Sequence, residues 1–465
     1  MTSHDFPASP HALSSHIKTL IYHLLNPHLS PPARLLFKLR LPSTMSQQPL
    51  HTLTATQALN LLRNDTITVE EYARALLRRI NERDDVVKAW AFLDAAVVIQ
   101  QAEKLDQLPR NKRGPLHGVA VNIKDFINTR DMPTQYGSAL YKGHQSGFDA
   151  SVVGVLRTAG ALIFGKTTTT EFTVANSGPD TTNPRDPIRT PGGSSCGSAA
   201  AVADWQVPLS LGTQTGGSVI RPASYNGVFG LKPSWGVIGT EGVKNVAVSF
   251  DTVGVFARSV EDLQLFCDVF GIADDGRDFA SPTEDMNVAV VRHGVRVNAV
   301  DLPQDIGESK AIEEMCSTII AHEAAPAFLH QYRLDKTRLG PSICRIVENS
   351  ANITHVAYTH AANRLFRMRT TLNAFLGEYT VVITPSAVDE APVGLHDMGS
   401  AVFNTLWTGV HVPVINIPAF EGLNGMPVGV SLVAGRYRDR HLLRVAEVLG
   451  GSLIDGVGWK GIEYA

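Results

Sequence analysis

Ser194 and Ser218 stand twenty-four positions apart, each in a glycine-rich turn, within PGGSSCGSAAAVADWQVPLSLGTQTGGS (residues 191–218). Glycine reaches backbone dihedrals that other residues avoid, so a Gly-Gly pair beside a serine lets N–H groups converge on one point. Thr215, Gly216, Gly217 and Ser218 supply four such groups in a row, a candidate cradle for the oxyanion of acyl transfer. No histidine occurs between residues 181 and 240, so a local Ser-His pair is excluded. A Ser-His-Asp arrangement would have to draw its histidine from elsewhere, and His117 in GPLHG reads as part of a turn before a strand. Lys124 is the better base. It ends the apolar run of GVAVNIKDF, a buried-strand pattern, and a lysine there is costly unless paired or neutral. Taken singly, GGSS reads as a flexible turn, GTQTGGS as a strand-to-helix connection, and a lone lysine as a solvated surface residue. The combination carries the chemistry.

GPLHGVAVNIKD, PGGSSCGSAAAV, GTQTGGSVIRPAS and GLKPSWGVI follow one another in the order and spacing of the amidase signature family, which the chain resembles over roughly residues 50–465. The resemblance implies an α/β fold, a single α/β/α domain with a large central mixed β-sheet flanked by helices. It also implies a Ser-Ser-Lys unit. Ser218 is the nucleophile, Ser194 the bridging serine joined to Gly193 by a cis peptide, and Lys124 the base. Ser195 and Gln214 support the turns, and Thr215, Gly216, Gly217 and Ser218 form the oxyanion hole. A serine hydroxyl needs a base, and lysine's ordinary pKa near 10.4 must fall about three units, roughly 4 kcal/mol, for the amine to accept a proton at neutral pH. Burial is capable of that.

The implied activity is hydrolysis of the C–N bond of a small-molecule carboxamide through an acyl-enzyme. A catalytically silent amidase fold serving as a binding or scaffold protein is the reading from another class; intact Lys124, Ser194 and Ser218 disfavour it. An ammonia-releasing amidotransferase-type subunit is disfavoured by QTGGSVIRPA, where that branch has DTGGSIRQPA. Arg221 resembles the malonamidase-like branch, in which the matching arginine holds a substrate carboxylate; a structural ion pair beneath the loop is the equal alternative. Phe403, Asn404 and Trp407 resemble the second lining of the acyl pocket. Tyr136 and Met132 are candidates for the same lining, with core packing the plainer reading of Met132.

Residues 160–167, GALIFGKT, match the phosphate-loop pattern formally. Their four apolar central residues suit a buried strand, and DASVVGVLRTAG before them has helical periodicity, so nucleotide binding is rejected. The chain has 465 residues, 44% hydrophobic and 18% charged, with a net charge of −3, which argues for a large core and against a nucleic-acid partner. No apolar run is long enough for a membrane-spanning segment. Cys196, Cys267, Cys316 and Cys344 form no C-x-x-C pair, so no metal and no cofactor is expected, and the thiols fit a reducing, cytoplasmic setting. Cys196 stands where the family usually has Gly or Ser. The expected partner is a small-molecule amide, with a homodimer left open.

Residues 1–44 read as a disordered or targeting-like tail ahead of an amidase domain at 45–465, whose motifs fall at about 114–260. The tail holds Lys18, Arg34, Lys38 and Arg40 but one acid, Asp5, leaving a mitochondrial transit peptide as the alternative localisation. Helices are expected near 55–64, 68–82, 90–106 and from Ser259 as N-cap. A strand is expected at MNVAVVRHGVR, followed by a shortening near 297–300.

Overall fold

A computed structural model describes residues 48–276 and 300–457. The expected N-terminal tail, the MNVAVVRHGVR strand and the shortening after it lie outside the described residues. Nine strands form one mixed sheet among the described residues. They are β1 (Trp90–Phe92), β2 (Ala120–Lys124), β3 (Leu162–Thr167), β4 (Leu209–Gln214), β5 (Phe229–Lys232), β6 (Thr252–Ala257), β7 (Val382–Pro385), β8 (Val414–Glu421) and β9 (Pro427–Val433). Their order is β1-β3-β2-β4-β6-β5-β8-β9-β7. The helices of the first half are α1 (Ala55–Arg63), α2 (Val69–Val87), α3 (Ala95–Asp106), α4 (Ser151–Thr158), α5 (Cys196–Ala203), α6 (Ile220–Asn226) and α7 (Val260–Val269). Those of the second half are α8 (Ser309–Asp335), α9 (Pro341–Val347), α10 (His355–Leu376), α11 (Thr405–Gly409) and α12 (Asp439–Val457). Among the described residues no helix is long and apolar enough to cross a membrane.

β2 pairs in parallel with β3 on one side and with β4 on the other. The chain therefore steps from β2 to β3 and crosses back over β2 to reach β4, so the strand order reverses there. Crevices at the carboxyl ends of strands at such a reversal are where open α/β sheets place their sites. Lys124 ends β2 and Gln214 ends β4, so both arrive at that edge. All residues of β2, β3 and β4 are buried, as strands covered on both faces must be.

Local signals explain several helix starts. Thr54 with Gln57 and Thr68 with Glu71 form capping boxes at α1 and α2, and Ser259 accepts from Asp262 N at α7. The expected helix over 90–106 is corrected. Trp90 and Phe92 pair with Thr167 and Lys166 of β3, and the Asp94 side chain accepts from Ala96 N and Val97 N, starting the helix only at Ala95. The short side chains of α5, CGSAAAVA, are all buried, and Gly197 has no room for a Cβ against the Ala89 carbonyl.

The GALIFGKT segment is the buried strand β3 behind helix α4. Its Lys166 donates to Ile127 O at 2.9 Å, Pro133 O at 3.3 Å and Thr134 Oγ1 at 2.6 Å, and pairs with Asp125 Oδ1 at 3.5 Å. That lysine is fully engaged inside the sheet and has nothing left for a phosphate.

Candidate active site

Lys124 is completely buried, and its Nζ lies 2.7 Å from Ser194 Oγ, 3.0 Å from Ser195 Oγ and 2.9 Å from Thr213 Oγ1. The Thr213 carbonyl is at 3.5 Å. No carboxylate pairs with it among the described residues. Burial brings its pKa down from 10.5 to about 7. A hydroxyl can donate to a neutral amine as well as accept from an ammonium, so this shell accommodates both states.

The Gly193–Ser194 peptide is cis, and Ser194 O accepts from Thr170 N at 3.3 Å. Ser195 Oγ donates onward to Thr213 O at 3.3 Å, tying the GGSS turn to β4. Cys196 is buried with Sγ 3.4 Å from Ser194 O, and burial pushes its thiol up to about 11, an unreactive state.

The second turn is shaped by side chains that take its outward bonds and leave its inward ones open. Gln214 Oε1 accepts from Val219 N at 2.7 Å and Ile220 N at 3.0 Å, and its Nε2 donates to Thr408 Oγ1 at 2.9 Å. Thr408 Oγ1 donates to Gly216 O at 2.7 Å. Thr215 Oγ1 donates to Asp251 Oδ1 at 2.6 Å, while Asp251 Oδ2 accepts from Val246 N and Ala247 N. Among the described residues none of the four N–H groups of Thr215, Gly216, Gly217 and Ser218 donates to any acceptor. Ser218 is 7% exposed and forms no hydrogen bond to Ser194 or Lys124. The structure thus joins Lys124 to Ser194 directly and sets Ser218 at the open side of the turn; catalytic hydrogen bonds of this kind tighten around a substrate.

The wall opposite comes from residues 395–405. A Cβ on Gly217 would lie 3.1 Å from Ala401 Cβ and from Asn404 Nδ2, and one on Gly193 would strike Met398 Sδ. Asn404 Nδ2 donates to Ser386 O at 2.9 Å, fixing that approach. Of the residues expected to line the pocket, Asn404 lies at the second turn, and Ala401 and Met398 also lie against the two turns. Trp407 is buried in a core cluster with Phe250 and Leu406. Tyr136 also belongs to the core. Its ring stacks on Phe172 at 6.0 Å, its hydroxyl donates to Asn128 Oδ1, and it meets Lys124 only through Phe126, whose ring is 5.9 Å from Nζ. Met132 is likewise in the core. His117 is buried at the entry to β2, the strand end away from Lys124, and has no part in the site.

Arg221 does not form, among the described residues, the ion pair that is one of the two roles expected of it. Its guanidinium donates to Gly193 O at 2.7 Å and to Gly399 O, so it clasps the cis turn and the opposite wall through carbonyls, without an ion pair. Thr213, Asp251, Thr408 and Met398 escape a reading of the sequence alone. Thr213 is the one that leaves a signal there, as a hydroxyl on the buried strand that leads into TGGS.

The Amidase family model matches residues 71–321. A glutamyl-tRNA(Gln) amidotransferase subunit of Symbiobacterium thermophilum is 43% identical over 216 residues, 45% of this chain and 44% of that protein. The same subunit of Chloroflexus aurantiacus is 36% identical over 283 residues, 58% of each. The chain thus spans about half the length of these relatives. The putative amidase AmiD of Mycobacterium tuberculosis is 28% identical over 452 residues, 86% of this chain and 94% of that one. A crystal structure described as an amidase superposes with a TM-score of 0.76 at 27% identity, covering 86% of this chain and all of its own.

Proposed function

This chain belongs to the amidase signature family, whose chemistry is hydrolysis of amide C–N bonds, and on that premise we propose that it cleaves a small carboxamide through an acyl-enzyme on Ser218. The observation that carries the proposal is the shell of Lys124: a buried amine among the hydroxyls of Ser194, Ser195 and Thr213, brought to a pKa of about 7 by burial. Neutral Lys124 takes the proton of Ser194 as Ser194 takes that of Ser218, and Ser218 Oγ attacks the carbonyl carbon. The oxygen that gains charge meets the unengaged N–H groups of residues 215–218, donors held in place before the reaction begins. Collapse breaks the C–N bond, and the proton held on Lys124 returns through Ser194 to the departing amine or ammonia. Water then gives its proton along the same relay and hydrolyses the ester, freeing the acid and Ser218.

Labelling with a fluorophosphonate, followed by mapping of the modified residue, tests this directly. The label is expected on Ser218 and absent after Lys124→Ala; folded protein that takes no label at Ser218 would sink the proposal.

The amidotransferase relatives favour a second reading, an ammonia-releasing subunit. Arg221, engaged by two carbonyls, serves in our reading to position both walls rather than to bind a carboxylate. One panel addresses both points: release of ammonia from glutamine, which carries a carboxylate, against release from uncharged primary amides of similar size. Comparable rates are expected. A preference for glutamine above about a hundredfold would support the second reading and return Arg221 to substrate recognition.

A further inference from the structure

A cleft of about 820 Å³ opens between α10, the residues after β9 and the loop after β5, and it shares no lining residue with the Ser218 turns. Its size is that of a small-molecule site. Trp235 and His411 form one wall, their rings stacked at 4.5 Å and 12°. Arg369 and Asn373 of α10 stand opposite, with Phe366, 67% exposed, at the mouth. Arg436 completes the ring, its backbone N–H donating to Asn373 Oδ1 at 2.8 Å.

The polar groups here are underused. Arg369 spends Nε on Gly409 O at 2.9 Å, and Arg436 donates to the Tyr437 hydroxyl at 2.6 Å. Neither guanidinium pairs with a carboxylate among the described residues, although burial and then the charge of Arg436 bring Arg369 down to about 10. Glu378 lines the rim, and Glu323 stands behind Ser249, accepting from its N–H and hydroxyl. Arg436 Nε is buried without a hydrogen-bond partner. His411 is 4% exposed; its Nε2 donates to Ser249 O at 2.8 Å, which leaves Nδ1 an acceptor that nothing reaches. Two guanidiniums, a flat aromatic wall and a lone acceptor match a planar acid that also carries a hydroxyl.

The cleft also backs onto the site. Gly409, held by Arg369, ends α11, and Thr408 beside it donates to Gly216 O at 2.7 Å. One short helix therefore touches both the cleft and the oxyanion turn. We propose that this cleft is a second binding site, for a small hydroxylated aromatic carboxylate, and that its occupancy alters turnover at Ser218. The coupling rests on the amidase reading above; the binding does not.

Calorimetric titration of the full chain carrying Ser218→Ala with 4-hydroxybenzoate tests the binding. One saturable site is expected, weakened about tenfold or more by Arg369→Gln with Arg436→Gln or by using neutral 4-hydroxybenzamide, as loss of charge-assisted hydrogen bonds requires. Trp235→Phe, which leaves both arginines in place, should remove the accompanying tryptophan fluorescence change. No saturable binding, or binding that the double arginine variant leaves unaltered, overturns the site. In the unmutated chain, turnover of a neutral amide should change with 4-hydroxybenzoate at the midpoint seen in the titration, and the double variant should abolish the change. Binding with unaltered turnover overturns the coupling.

Discussion

Lys124 and Lys166 sit on adjacent parallel strands, one register step apart, since Ile123 of β2 pairs with Lys166 and Lys124 with Thr167. Both are completely buried, yet their surroundings differ in kind. Lys166 meets two carbonyls, one hydroxyl and the Asp125 carboxylate. Carbonyl and carboxylate oxygens can only accept, so that shell holds an ammonium. Burial pushes Lys166 down and Asp125 up, and the charge of each opposes the shift of the other. The Lys124 shell is three hydroxyls and, at 3.5 Å, the Thr213 carbonyl, with no carboxylate, and burial brings that amine to about 7. Burial lowers both amines; what distinguishes them is the shell, hydroxyls that can donate around Lys124 and a carboxylate beside Lys166.

The largest effect should come from replacing each lysine by methionine. Lys124→Met is expected to cut kcat by about 10²–10⁴, the scale of a general base, with stability unchanged or raised because an apolar chain replaces a desolvated amine. Lys166→Met is expected to cost about 3–5 kcal/mol of stability by stranding Asp125, while the folded fraction keeps kcat within about threefold. Denaturant melts and steady-state kinetics on both variants check this. If both lost activity alike at equal stability, the distinction between the two shells would fail.

An intermediate effect lies in pH. kcat/KM should rise about tenfold per unit up to about 7 and then level, following the deprotonation of Lys124. Stability should follow the same residue. The folded pKa lies below the unfolded one, so between about 7 and 10.5 the unfolded chain binds the extra proton and stability grows with pH, and it is lost as pH falls through that window. Lys166 acts with the same sign over a narrower window, from about 8 to 10.5. Urea melts at several pH values should show a shallower slope in Lys124→Met than in the unmutated chain; an identical slope would mean that Lys124 is not neutral when folded.

How much of this is legible in the sequence follows the range of the signals. β2, β3 and the caps at Thr54, Thr68 and Ser259 are written in neighbouring residues, and Lys124, Ser194 and Ser218 stand in compact motifs. β1 is hidden within an expected helix because it pairs with β3, more than seventy residues downstream. A longer separation hides Thr408 behind Gly216, 192 residues away, and the wall that Met398 lays on Gly193. Tyr136 and Trp407 suit a pocket lining by residue type; orientation, which a sequence does not carry, puts them in the core. Lys166 shows the same limit: GKT can be rejected as a phosphate loop from its apolar neighbours, but its pairing with Asp125 depends on how β2 and β3 lie side by side.

The smallest effect is the sharpest test of the two shells, because it changes one hydroxyl in each. Thr213 Oγ1 lies 2.9 Å from Lys124 Nζ and Thr134 Oγ1 lies 2.6 Å from Lys166 Nζ. Valine keeps the shape of threonine and removes the hydroxyl. Around Lys124 the loss leaves the ammonium less solvated, so Thr213→Val should move the kcat/KM midpoint below 7 by about half a unit and lower the plateau roughly threefold. Around Lys166 the remaining oxygens still hold the ammonium, so Thr134→Val should leave the pH profile in place and cost about 1 kcal/mol of stability. A midpoint that moved upward in Thr213→Val, or moved equally in both variants, would show that Thr213 does not tune the base and that the difference between the lysines lies outside their hydroxyl shells.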